Sequence, residues 1–197
     1  MKIGFVNSCI REKESRTLVI AKEILNSVKY LPNVEIEEFN LNKLPLTPYN
    51  HVSFNEMGIH GVDPLYFDIS KRIADSDILF IASPFWDMGI PGLLKTFLEK
   101  LSIPDVMFID NGKTCKGIAK FKHVVYVCTR GMDIEDGSPL EQASPYLKAL
   151  QYLWTDNNDN FHMVSAYNLD YVSAEEIRKK SNAAIKKGIE LMKEIIK

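Results

Sequence analysis

The chain has 197 residues, 46% of them hydrophobic, and a formal charge of −2. That content can bury one sizeable core, and it fits a single domain over 1–197 better than two. The slight acidity argues against a nucleic-acid binder, and no apolar run reaches the roughly 20 residues that a membrane span needs.

The sequence predicts strands and helices in alternation. Residues 2–7 (KIGFVN) form a short apolar run with β propensity, and a polar loop follows. The chain turns polar too soon after its start for a signal peptide, so this run reads as a first strand. A helix starts near Thr17, with Leu18, Ala21, Ile24, Leu25 and Val28 on one stripe and Ser15 as its N-cap. VEIEEFN (34–40) alternates apolar and acidic residues, as a strand with one exposed side does. Residues 41–64 hold Pro45, Pro48, Gly58, Gly61 and Pro64 and read as an irregular segment, either functional or mobile.

A helix over 65–76 leads to DILFIAS (77–83), a continuous apolar run typical of a central parallel strand. Helix 90–101 takes Pro91 in its first turn and buries Leu94, Phe97, Leu98 and Leu101. HVVYVCT (123–129) is a further buried strand, followed by a helix over 139–153 and a last strand, FHMVSAY (161–167). SAEE (173–176) is a capping box that opens a final helix with Ile185, Ile189, Met192 and Ile196 on its stripe. Strand followed by helix, five times over, predicts an α/β fold: a flavodoxin-like three-layer sandwich. Its five-stranded parallel sheet is expected in the order 2-1-3-4-5, with helices on both faces.

In such a sheet ligands bind beyond the carboxyl ends of the strands, near the switch point. That selects the loops at 8–17, 83–89 and 128–137. The first has neither a dinucleotide fingerprint nor a P-loop. Ser15, Arg16 and Thr17 still place two hydroxyls, a cation and free amides at a helix start, which suits a phosphate as well as it suits a plain N-cap. Phe85 and Trp86 offer a flat apolar wall, or pack under a neighbouring loop. Thr129, Arg130 and Gly131 add a hydroxyl, a cation and a permissive glycine. The four histidines lack metal-ligand spacing, so no metal is expected. Cys9, Cys115 and Cys128 form no Cys-x-x-Cys, which points to a reducing, cytoplasmic compartment.

On these loops the chain resembles the FMN-dependent NAD(P)H azoreductases and quinone reductases of the flavodoxin-like superfamily. The resemblance rests on the Ser8–Thr17 loop, on PFWDMGIPGLLKTFLEKL, and on the stretch from FIDNG through KGIAKFKHVVYVCTRG to SPYLKALQYL. It implies FMN, tightly bound, with its phosphate at Ser15, Arg16 and Thr17 and at Ser8 or Cys9. It implies that Pro84, Phe85, Trp86, Asp87 and Met88 flank the ring, and that Thr129, Arg130, Gly131 and Met132 meet its pyrimidine side. Asp87 stands where the family carries an amide, and Met132 where it carries a second glycine.

The implied activity is a ping-pong hydride transfer from NADH or NADPH to a small acceptor, a quinone or an azo compound. A homodimer with its sites at the interface is also implied. No side chain is nominated as a catalytic acid or base. The alternative is a flavodoxin-like electron-transfer protein that holds FMN without turning over NAD(P)H.

Overall fold

The structure, a computed structural model, describes residues 1–197. Seven strands and six α-helices form: β1 (Lys2–Asn7), α1 (Arg16–Asn26), β2 (Glu35–Asn40), α2 (His51–His60), α3 (Pro64–Ala74), β3 (Ile78–Ala82), α4 (Gly92–Leu101), β4 (Phe108–Asp110), β5 (Cys115–Gly117), β6 (His123–Thr129), α5 (Ala143–Thr155), β7 (Phe161–Ala166) and α6 (Ala174–Ile195). Five strands make one parallel sheet in the order β2-β1-β3-β6-β7. The expected numbering 2-1-3-4-5 is not met, because the antiparallel pair β4–β5 intervenes in the chain before the fourth sheet strand.

Side-chain alternation along the central strands feeds two cores. Ile78, Phe80 and Ala82 of β3 face α1 and α6, with Ile3, Phe5, Ile20, Ile24, Val125 and Met192. Leu79 and Ile81 face α3, α4 and α5, with Ile69, Ile73, Leu94, Phe97, Tyr126 and Trp154. A large apolar side chain fully buried this way contributes about 1.5–3 kcal/mol. The register pairs Asn7 with Ala82 and Ala82 with Val127, so β1 and β3 end level, β6 runs two residues further to Thr129, and their following loops lie side by side.

Several boundaries differ from expectation. The segment 41–64 is not irregular throughout: a 3-10 turn at Leu41–Lys43 and helix α2 occupy much of it. Asn50 and Ser53 form a reciprocal capping box that starts α2, yet none of its side chains is buried. Its apolar residues Val52, Phe54 and Ile59 are exposed, so there is no inward stripe for sequence periodicity to reveal. Pro91 is extended, with ψ of 149°, and stands just outside α4 as its cap residue. α5 starts at Ala143 rather than 139, because the buried Glu141 carboxylate accepts from the amides of Ala143 and Ser144 (2.9 and 3.0 Å) and so serves as its cap. On α6 the fully buried line is Ala184, Gly188 and Met192, with Ile185, Ile189 and Ile196 only half-buried. A side chain at Gly188 would collide with Ile24, so the close approach of α6 to α1 decides which residues are covered.

Candidate functional site

At the carboxyl ends of β1, β3 and β6 lies a cavity of about 230 Å³. Its floor and one wall come from the start of α1. Ser15 is the N-cap, extended at φ −77° and ψ 113°, and its Oγ accepts from Leu18 N at 3.2 Å. The amides of Arg16 and Thr17, the first two helical residues, have no acceptor within the helix and carry the positive end of its dipole. The Thr17 and Thr129 hydroxyls are 2.6 Å apart, so α1 and β6 meet at this point. Pro84 and Trp86 supply apolar lining, and Gly131 and Asp170 complete it. Arg16 Nη1 donates to Asp170 Oδ1 at 3.0 Å and to Leu169 O at 3.4 Å.

The pleat of the strands continues into the loops and sorts their residues. Phe85 N bonds Thr129 O at 3.1 Å, extending the β3–β6 pairing by one step. Pro84 and Trp86 then face the cavity, and Phe85 turns inward against the core. Thr129 and Gly131 face the cavity, while Arg130 turns inward and is fully buried. Its guanidinium pairs with Asp136 and lies 5.8 Å from the Phe85 ring and 5.4 Å from the Tyr167 ring. Asp136 also accepts from Ser165 Oγ at 2.7 Å. Arg130 braces the loops from beneath.

Asp87 and Met88 lie in a two-residue turn closed by Trp86 N to Gly89 O (3.1 Å) and Gly89 N to Trp86 O (2.9 Å). Both have positive φ, 48° and 65°, as a tight primed hairpin turn requires. Both side chains are exposed, and the Met88 carbonyl accepts from Gln142 N at 3.0 Å.

Of the residues expected at the site, the cavity gathers Ser15, Arg16, Thr17, Pro84, Trp86, Thr129 and Gly131. Ser8 and Cys9 are fully buried beneath the loop, with Ser8 Oγ donating to Ala82 O at 3.2 Å and the Cys9 thiol also directed at that carbonyl. Burial pushes the Cys9 thiol up to about 11, so it is held neutral. Met132 is exposed beyond the cavity, its carbonyl taken by Asn168 N at 2.8 Å. Ile10, Arg11, Glu14 and Asp170 line the cavity without having been singled out. The first three stand in the 8–17 loop that the switch-point rule selects. Asp170 follows the last strand, outside the three loops that the switch-point rule selects.

Comparison with known proteins agrees with this architecture. A family model described as a flavodoxin-like fold matches residues 1–190. The chain is 24% identical over 189 residues to the FMN-dependent NADH:quinone oxidoreductase of Caldicellulosiruptor saccharolyticus, covering 92% of each chain. It is 25% identical over 153 residues to the enzyme of the same name from Francisella philomiragia, covering 76% of this chain and 78% of that one. Among solved structures, an FMN-dependent NADH-azoreductase from Bacillus anthracis in complex with FMN superposes with a TM-score of 0.79 at 18% identity, over 96% of this chain and 98% of that one. An NAD(P)H:quinone oxidoreductase from Methanothermobacter marburgensis superposes with a TM-score of 0.76 at 12% identity, over 97% and 98%. With a parallel sheet of this order, a cavity at its switch point and a family match running nearly end to end, the chain belongs to the flavodoxin-like family.

Proposed function

We propose that this chain is an FMN-dependent NAD(P)H oxidoreductase that reduces quinones or azo compounds. The observation that carries the reading is the single cavity in which two free helix-start amides, the Thr17 and Thr129 hydroxyls and Arg16 stand opposite Pro84 and Trp86. One end of that cavity suits an anionic phosphate and the other a flat heteroaromatic ring. The donor set therefore fits FMN. Ser15, Arg16, Thr17 and Thr129 would hold its phosphate and polar chain, and Pro84, Trp86 and Gly131 its ring. The ring, when bound, supplies the two-electron hydride chemistry, and no acid or base on the protein is assigned to it. The fully buried Arg130 and its exposed partner Asp136 fix the loops that present these groups. NADH is the donor that the relatives' names support.

The finer reading is one cytoplasmic domain over 1–197 acting as a homodimer. Exposed Val52, Phe54 and Ile59 on α2, and exposed Trp86 and Met88 in the loop after β3, support a second copy covering apolar surface. No helix is long and apolar enough to cross a membrane.

Anaerobic addition of NADH to the FMN-loaded protein tests the reading. Bleaching of the flavin band, restored by a quinone or an azo dye, is expected. Bound FMN that NADH does not bleach would favour the electron-transfer alternative. Failure to take up FMN would remove both.

A further inference from the structure

The cavity that the proposed function assigns to FMN carries four ionisable side chains, and their charges cancel. Arg11 stands 3.9 Å from Glu14, and Arg16 stands 3.0 Å from Asp170. A phosphate entering the helix start therefore meets a cation already facing a carboxylate. The backbone of Asp170 is anchored beside it. Its amide is bonded to Gly131 O at 3.1 Å, and the preceding Leu169 amide to Arg130 O at 3.2 Å. Its side chain lies over the Cα of Gly131 so closely that any side chain at position 131 would collide with it. The anchored backbone thus keeps Asp170 in the lining of the cavity, beside Arg16. Yet the pair is open to water, with Arg16 45% and Asp170 60% exposed, so the two can part at little cost.

We infer that Asp170 is a specificity-determining residue that competes with the flavin phosphate for Arg16 and narrows the preference for FMN over phosphate-free riboflavin. The inference rests on the proposed FMN reading. Two effects of the carboxylate act in the same direction. It holds the guanidinium that the phosphate needs, and it repels a group carrying nearly two negative charges. Riboflavin has the same ring and the same polar chain without that charge, so it feels neither effect.

Titration of the flavin-free full-length chain with FMN and with riboflavin, followed by flavin fluorescence, tests this in the wild type, Asp170→Asn, Arg16→Ala and the double variant. Asp170→Asn keeps the shape of the side chain and removes its charge. FMN should bind about threefold to tenfold more tightly to it, while riboflavin changes by less than about twofold. In the Arg16→Ala background the gain for FMN should shrink to about twofold, because the contested cation is gone. FMN affinity that stays or falls in Asp170→Asn overturns the inference. So does an equal gain for riboflavin, or a full gain retained without Arg16. A wild-type chain that binds neither flavin overturns the FMN reading itself, an outcome distinct from these three.

Discussion

Thr17 and Thr129 join the first turn of α1 to the end of β6 through hydroxyls 2.6 Å apart. The two ends are not equivalent, since Thr17 is 1% exposed and Thr129 half-buried. Thr17→Val leaves Thr129 able to turn toward solvent, and should cost about 1 kcal/mol. Thr129→Val leaves a buried hydroxyl without its partner, and should cost about 1–3 kcal/mol. Urea denaturation of both variants and of the double variant measures this. The double variant should lose less than the sum, and a costlier Thr17→Val would contradict the assignment.

Arg16→Ala should weaken FMN binding by roughly 1.5–3 kcal/mol, the range for a charge-assisted hydrogen bond. The flavin-free chain should lose less than about 1 kcal/mol of stability, because the pair with Asp170 is exposed. Fluorescence titration gives the first quantity and chemical denaturation the second. Unchanged affinity would return Arg16 to the role of an ordinary surface cation.

The turn at Asp87 and Met88 separates electrostatics from strain. Met88→Gly should stabilise the chain by about 0.5–1 kcal/mol, because a side chain at φ 65° is held in the left-handed region. A lowered denaturation midpoint would contradict this. Asp87 makes no hydrogen bond to α4, whose cap residue Pro91 lies just outside it and offers no side-chain bond, so Asp87 does not cap the helix. Its carboxylate is exposed and screened to about 1 kcal/mol at contact distance, so Asp87→Asn should raise the midpoint potential of bound flavin by no more than about 20 mV. Spectroelectrochemistry of both proteins reads the shift, and a downward movement would reject the electrostatic role.

His123 Nδ1 and His162 Nε2 lie 3.2 Å apart, with their rings stacked across β6 and β7. Burial lowers the pKa of both; Lys122 adds to this at His123, and at His162 His123 adds to it against a smaller opposite pull from Glu194. The unfolded chain therefore takes up protons below the ordinary value of 6.5 that the folded chain resists. Stability from this pair is complete above that value and is lost as the pH falls through it toward the lowered pKa values. Thermal midpoints from about pH 8 to about pH 5 should fall more steeply in the wild type than in His123→Gln. Parallel profiles would show that the pair does not govern acid stability.

Much of the sheet was legible because its strands are continuous apolar runs, and Ser15 was legible because N-caps have a short chemical vocabulary. Helix α2 was hidden because it turns no apolar stripe inward. The β4–β5 hairpin carried a readable mark in Asn111-Gly112, where Gly112 has φ 76° and Asn111 Oδ1 accepts from the amides of Lys113 and Thr114. At the site, the three loops were legible from the switch-point rule. Which side chains face the cavity depended on carrying the two-residue alternation past the strand ends, and that parity turns Phe85 and Arg130 inward while Trp86 and Thr129 face out. Asp170 was not legible, because its place beside Arg16 is set by a contact 154 residues apart in the chain.

Arg130 has a consequence for how the site opens. A single buried cation touches Phe85 from the loop after β3, Asp136 from the loop after β6 and Tyr167 from the end of β7. Loosening Asp136 would leave an uncompensated charge in the interior, which is costly, and loosening Phe85 or Tyr167 would strip a ring from the desolvated guanidinium. The three segments are therefore tied into one cooperative unit. Their amides should exchange with solvent deuterium at a common opening free energy, and a local fluctuation that admits water to one should expose all three together.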